Sequence, residues 1–232
     1  MIEVRNLTKV FQKDNLEVRV LEDISVTINE GEFVAIMAPS GMGKSTFLNI
    51  LGCLDKPTSG TYILDDVAVQ GMDDDELSRI RNKKIGFVFQ TFHLLPRMTA
   101  WENVTLPLIY GDTDSRMKAR AIEALKAVGL GDRVGHLPRE LSGGQQQRVA
   151  IARALINDPR IIFADEPTGN LDSKSGQDIM NIFRKLHSEG RTLVVVTHDT
   201  DVAFQADRII EMKDGKIASD RTTGSRSNEV AQ

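Results

Sequence analysis

Phe33-Val34-Ala35-Ile36-Met37-Ala38-Pro39-Ser40-Gly41-Met42-Gly43-Lys44-Ser45-Thr46 runs from an apolar stretch through a turn with two glycines to the start of a helix expected over Lys44 to Leu51. A strand apolar at every position offers no face to water, so it suits the interior of a mainly parallel sheet covered on both sides. Strand, glycine-containing turn and helix in that order are the setting a phosphate-binding loop requires. The glycines let the backbone curl so that successive N–H groups of Ser40, Gly41, Met42, Gly43, Lys44, Ser45 and Thr46 face phosphate oxygens, and the helix start adds partial positive charge. Lys44 is expected to bridge the β- and γ-phosphates, and the Ser45 hydroxyl to bind Mg²⁺. Ala38 occupies a position where such loops usually open with glycine. If that position needs a positive φ, alanine strains it by about 1 kcal/mol.

Outward from this stretch, strands alternate with helices. Upstream, Glu3 to Val10, Val18 to Leu21 and Ser25 to Ile28 read as short strands that form an N-terminal antiparallel β part. Downstream, Thr61 to Leu64 and Ile85 to Phe89 read as strands, and Asp74 to Asn82 as a charged helix. From Thr91 to Arg139 the pattern turns helical, clearest over Ser115 to Val128, and predicts an inserted helical subdomain over 91–139. Gly143 to Ile156 is a further helix. Ile161 to Ala164 and Leu193 to Val196 are fully apolar strands, and Lys213-Asp214-Gly215 joins two strands as a hairpin. The expected fold is α/β, a single domain with its core in 1–90 and 140–220 and a frayed tail over 221–232.

Two further motifs carry chemistry. The strand Ile161 to Ala164 ends in Asp165-Glu166. Adjacent residues of a strand point to opposite sides, so the two carboxylates can do different work. Asp165 is placed at the Mg²⁺ site, and Glu166 is placed to polarise a water attacking the γ-phosphate. Alone, such a pair reads as a surface turn. Leu141-Ser142-Gly143-Gly144-Gln145 opens a second helix, with Ser142 as a natural N-cap and two glycines that leave backbone N–H groups accessible. By spacing alone this is equally an ordinary capped helix.

Taken together, the sequence resembles an ABC ATPase along nearly its whole length. Leu141 to Gln145 matches the family signature, and the run Gln145 to Leu155 continues it. Phosphate loop, signature, Asp-Glu strand end and a later histidine stand in family order. Leu51 to Pro57, Ile85 to Gln90 and Asp165 to Asp172 resemble the branch of lipoprotein-release and macrolide-export ATPases. The fold this implies is a P-loop NTPase core, and the ligands are ATP and Mg²⁺. By the resemblance, Gln90 contacts Mg²⁺ and the attacking water, His198 reaches the γ-phosphate, and Phe11 stacks on adenine. Leu171-Asp172 crosses a dimer interface. On the residues alone, His198 reads as a structural histidine, and Phe11 is as readily a core residue. The resemblance also implies a head-to-tail homodimer. In it Ser142, Gly143, Gly144 and Gln145 of one chain close the ATP held by the other's phosphate loop. Met42 departs from the small residue usual there and is expected to loosen or reshape closure. Thr91 to Val104, with Phe92, Leu94, Leu95, Met98 and Trp101, becomes part of a groove for a transmembrane permease subunit; the competing reading is a locally buried loop.

Composition narrows the alternatives. Hydrophobic residues make up 41% of 232 residues, which allows a sizeable core, and the net charge of -4 gives no basic field for nucleic acid. The one cysteine, Cys53, excludes a disulfide framework and reads as a small buried helical residue. The N-terminus does not read as a signal peptide, and no apolar run reaches bilayer length. The expected place is therefore the cytoplasm, peripheral on the inner face of the membrane through separate permease subunits. A soluble, non-transport ABC ATPase is the alternative, and a small-molecule kinase would leave Leu141 to Gln145 without a purpose.

Overall fold

The computed structural model describes residues 1–13, 16–39, 41–109 and 116–223. Ser40, Ser115 and residues 224–232 of the expected tail lie outside the described residues. In chain order, strands β1 (Ile2–Lys13), β2 (Leu16–Ile28) and β3 (Phe33–Met37) lead to helix α1 (Lys44–Leu51). Strands β4 (Ser59–Leu64) and β5 (Val67–Ala68), helix α2 (Asp74–Lys84) and strand β6 (Ile85–Phe89) follow. Helices α3 (Ala100–Ile109), α4 (Met117–Ala127) and α5 (Gly143–Leu155) precede strand β7 (Ile161–Asp165) and helix α6 (Ser173–Ser188). Strand β8 (Thr192–Thr197), helix α7 (Thr200–Ala203) and strands β9 (Arg208–Lys213) and β10 (Lys216–Thr222) complete the described elements. The chain forms two compact units, Met1–Ser78 with Gly190–Gln232, and Arg79–Glu189.

In the first unit, an antiparallel sheet runs β2-β1-β4-β5. Beside it in the same unit, β3 lies between β8 and β9 and is parallel to both, with β10 antiparallel on β9. Phe33 to Ile36 and all of Thr192–Thr197 are buried, as their apolar sequences predict for interior strands. Helix α1 is tied to β4 by Tyr62, whose phenol donates to the Leu51 carbonyl at 2.5 Å from a fully buried position.

In the second unit, β6 and β7 pair in parallel from Ile85↔Ile161 to Phe89↔Asp165. Helix α5 packs directly on β6. A Cβ at Gly86 would stand 2.6 Å from the Ala154 carbonyl oxygen, so only glycine permits that approach. Val104, Leu108, Ala121, Leu125, Val149 and Ala152 fill the space among α3, α4 and α5. Helix α6 buries Ile179, Met180, Phe183 and Leu186 at helical spacing.

Several local expectations are corrected. The two strands expected over Val18 to Leu21 and Ser25 to Ile28 are one strand, β2. Asp23 takes φ 54 where the pairing of β2 with β1 shifts register, so the gap between the two expected strands is a bulge within one. Arg221, expected in a frayed tail, pairs with Ile209 in β10 and meets Glu211 at 3.1 Å. Cys53 is buried, but it follows α1 in a left-handed turn at φ 57 rather than lying in the helix.

Candidate active site

The phosphate loop belongs to the first unit. Gly41 and Gly43 have φ 82 and 85, and Gly43 is the residue before the first turn of α1. A Cβ at Gly43 would lie 2.7 Å from the Val20 carbonyl oxygen, so this bend excludes any side chain. Lys44 is 8% exposed, and Ser45 faces solvent on the first turn of α1. Ala38 is buried and is not among the described residues with positive φ, so alanine carries no left-handed strain there. Parallel pairing of Met37 with Thr197 brings the loop's entry beside the exit of β8. There Ala38, Pro39, Met42 and the exposed His198 line a cleft of about 430 Å³. Phe11 is 42% exposed, so it is not a core residue; the Lys9 ammonium sits 4.9 Å from its ring centre, held by Asp55 at 2.7 Å.

The second unit holds the remaining candidates, with Gln90, Asp165 and Glu166 at the carboxyl ends of β6 and β7. Phe89↔Asp165 is the last pair of that ladder, so Gln90 and Glu166 leave adjacent strands side by side. Asp165 is half-buried. Glu166 is 9% exposed and sits at φ 45, a left-handed conformation that costs about 1–2 kcal/mol in a non-glycine residue. Such strain persists only where the surroundings impose it, and it concentrates at functional sites.

The signature opens α5 as a full capping box. The Gln145 amide donates to the Ser142 hydroxyl at 3.3 Å, and the Ser142 amide to the Gln145 side chain at 2.9 Å. Ser142 is exposed, and with Gly144, Gln145, Arg148 and Lys174 it lines a polar cleft of about 390 Å³. Asp172 caps α6, accepting from the Ser175 hydroxyl at 2.6 Å and the Ser175 amide at 3.0 Å. These bonds, the hydroxyl's first, hold its carboxyl below the usual aspartate range.

Three residues unread in the sequence hold this half together. Asn170 donates to the Gln90 carbonyl at 3.1 Å and accepts from the Gln90 side chain at 3.4 Å. Gln147 is fully buried on α5, and its amide donates to Pro167 O at 2.7 Å and Phe89 O at 3.3 Å. Arg153, also on α5, donates to His93 O at 2.6 Å and Phe92 O at 2.7 Å. For Gln147 and Arg153 the available signal is a polar residue inside the run Gln145 to Leu155, where the helical period otherwise buries apolar side chains; Asn170 lies outside that run and carries no such signal.

The donor types suit Mg²⁺. Among the described residues, no three His, Cys, Asp or Glu side chains are preassembled as a metal cluster. The Ser45 hydroxyl, the Asp165 carboxylate and the Gln90 amide oxygen are hard donors. Mg²⁺ is commonly held by one or two such groups together with phosphate oxygens.

The ABC transporter family profile matches residues 21–169. The chain is 54% identical over 221 residues to the ABC transporter ATP-binding protein YvrO of Bacillus subtilis, covering 95% of this chain and 96% of that protein. It is 53% identical to the macrolide export ATP-binding/permease protein MacB of Chlorobaculum tepidum, over 95% of this chain but 34% of that longer protein. Among solved structures, the cassette MJ0796 of Methanocaldococcus jannaschii, a dimer in a post-hydrolysis state with ADP and Pi, superposes with a TM-score of 0.89. That match is 50% identical and covers 96% of this chain and 99% of that one. With the loop before α1, the capped signature and the acidic end of β7 in one α/β chain, these matches make this protein a member of the ABC transporter family, one of its ATP-binding cassettes.

Proposed function

We propose that the chain binds and hydrolyses ATP as a homodimer and drives separate permease subunits, in the export or extraction direction of the macrolide-export branch. It works in the cytoplasm, on the inner face of the membrane, through those subunits. No described helix is long and apolar enough to cross a membrane. The observation that carries this reading is a pair of anion-ready helix starts in one chain, α1 behind Gly43-Lys44 and α5 behind Ser142-Gly143-Gly144. A single nucleotide needs one such start for its phosphates. A second is useful when it caps the nucleotide of another copy.

In this reading the N–H groups of Ser40 to Thr46 and the Lys44 ammonium bind the β- and γ-phosphates. Phe11 and its neighbour Lys9 receive the adenine face. Bound Mg²⁺, held by Ser45, Gln90 and Asp165, would neutralise charge on the β- and γ-phosphate oxygens. Glu166 accepts a hydrogen bond from the attacking water and draws off its proton as the new oxygen–phosphorus bond forms and the bond from the γ-phosphorus to the bridging oxygen breaks, which releases ADP and inorganic phosphate. His198 donates to a γ-phosphate oxygen. Ser142, Gly143, Gly144 and Gln145 of the second copy close the site, and Asp172 lies at the seam. Helices over 91–139 form the subdomain that meets the permease, with Thr91 to Val104 as its groove.

Two variants test this. Glu166→Gln should lower turnover by roughly 10²- to 10⁴-fold and make the dimer persist in ATP on size exclusion. Lys44→Ala should abolish ATP binding and that dimer together. Normal ATP cleavage by Lys44→Ala would sink the reading.

A further inference from the structure

The segment after Gln90 adopts a conformation its own sequence does not favour. Phe92 and His93 are consecutive non-glycine residues with φ 42 and 48. Neither has the short polar side chain of Asn or Asp that eases this backbone state, and the pair together needs an external hold. Arg153 supplies it. Its planar guanidinium gives one N–H to His93 O at 2.6 Å and another to Phe92 O at 2.7 Å, so both strained peptides are gripped by one rigid fork. Burial lowers the Arg153 pKa from its usual value.

The grip joins two functional segments. Arg153 sits in the last turn of α5, the helix whose first turn is the signature. At that first turn the Phe92 ring comes back to the same helix, 3.9 Å from where a Cβ of Gly143 would stand. The 92–93 turn thus touches both ends of α5. Beyond it, the fully buried Asn103 of α3 holds residues 95–99, accepting from Leu95 N at 2.7 Å and donating to Met98 O at 2.9 Å and Thr99 O at 3.0 Å.

We infer that Arg153 is a positioning residue that holds the 92–93 turn in its double left-handed state and so locks the segment after Gln90 to the signature helix as one body. Only the kinetic consequence rests on the ATPase reading above: with the lock broken, Gln90 is presented in many orientations, so turnover falls while nucleotide affinity is kept.

The test uses the full chain and three variants, Arg153→Ala, Arg153→Lys and Arg153→Ala with His93→Gly. Amide exchange of residues 91–99 in nucleotide-free protein should rise about tenfold or more in Arg153→Ala and Arg153→Lys, because an ammonium cannot span both carbonyls. Exchange in α6 should stay unchanged. Turnover should fall about tenfold with KM for ATP within about twofold. Glycine takes positive φ at no steric cost, so His93→Gly should restore both protection and turnover in the Arg153→Ala background. A residue that merely fills space would not be rescued that way. If Arg153→Ala does not fold, Arg153→Lys decides alone. Wild-type exchange in the arginine variants, or no rescue by glycine, overturns the inference. Absence of ATP binding by the wild-type chain would instead sink the ATPase reading and leave the exchange result standing.

Discussion

Met42 shows how a single residue is judged by its surroundings rather than by its departure from a pattern. Its amide donates to Pro39 O at 3.3 Å, within the bend that Gly41 and Gly43 create. Its side chain is half-buried and lines the cleft beside Ala38 and His198. The backbone groups that would face phosphate are therefore set by the neighbouring glycines, and the thioether contributes apolar cover. Replacing Met42 with Ser keeps the backbone and removes that cover. Steady-state ATP hydrolysis by Met42→Ser is expected within about tenfold of the parent, or about 1.4 kcal/mol in barrier terms. A larger change would mean that the side chain itself shapes the closed site. Ala38 makes the same point: the expected strain is absent because the loop bends at Gly41 and Gly43 instead.

At the scale of elements, α1 is held from behind by Tyr62. Burial raises its phenol pKa well above the usual 10.0, and Cys53 adds to the shift. The folded state therefore binds this proton more tightly than the unfolded chain. The stability this contributes is fully present below pH of about 10 and is lost as pH rises from there through the folded value. Tyr62→Phe removes the donor to the Leu51 carbonyl and should cost about 1–2 kcal/mol at pH 7. It should also flatten the fall in stability between about pH 9 and 11. Urea unfolding at the two ends of that range checks this, and an equally steep alkaline fall in the variant would assign the loss to other groups. Elements of this kind were partly legible. The bounds of β3, α1 and β6 follow from apolar runs closed by glycine, charge or glutamine. Helix α6 has no counterpart among the expected elements: its apolar stripe Ile179, Met180, Phe183 and Leu186 is broken up by polar residues and begins about two turns after the cap Asp172. Helix α3 lies within the general helical stretch expected over 91–139; it contains Pro107, whose carbonyl accepts from Asn82 at 2.8 Å. In the site, the loop, the signature and the acidic strand end were readable as local motifs. Gln147, Asn170 and Arg153 were not, since each acts through backbone carbonyls far away in sequence.

The whole molecule poses the question of which ligand contacts form within one chain and which need two. The phosphate loop, Phe11 and His198 belong to one compact unit, whereas the signature, Asp165, Glu166 and Gln90 belong to the other. If a second copy's signature closes the nucleotide, protection of the two regions must depend differently on protein concentration. ATP bound to the loop should slow amide exchange over 41–47 at any protein concentration, because that contact is unimolecular once ATP is bound. Exchange over 143–146 should slow only where chains pair, so its protection should rise with protein concentration and follow the dimer population. Glu166→Gln is the protein for this measurement, since it holds the ATP state long enough to read. Serial dilution in excess ATP should release 143–146 while 41–47 stays protected. Protection of both regions lost or kept in parallel across the dilution series would place the signature on the nucleotide of its own chain and end the two-copy arrangement.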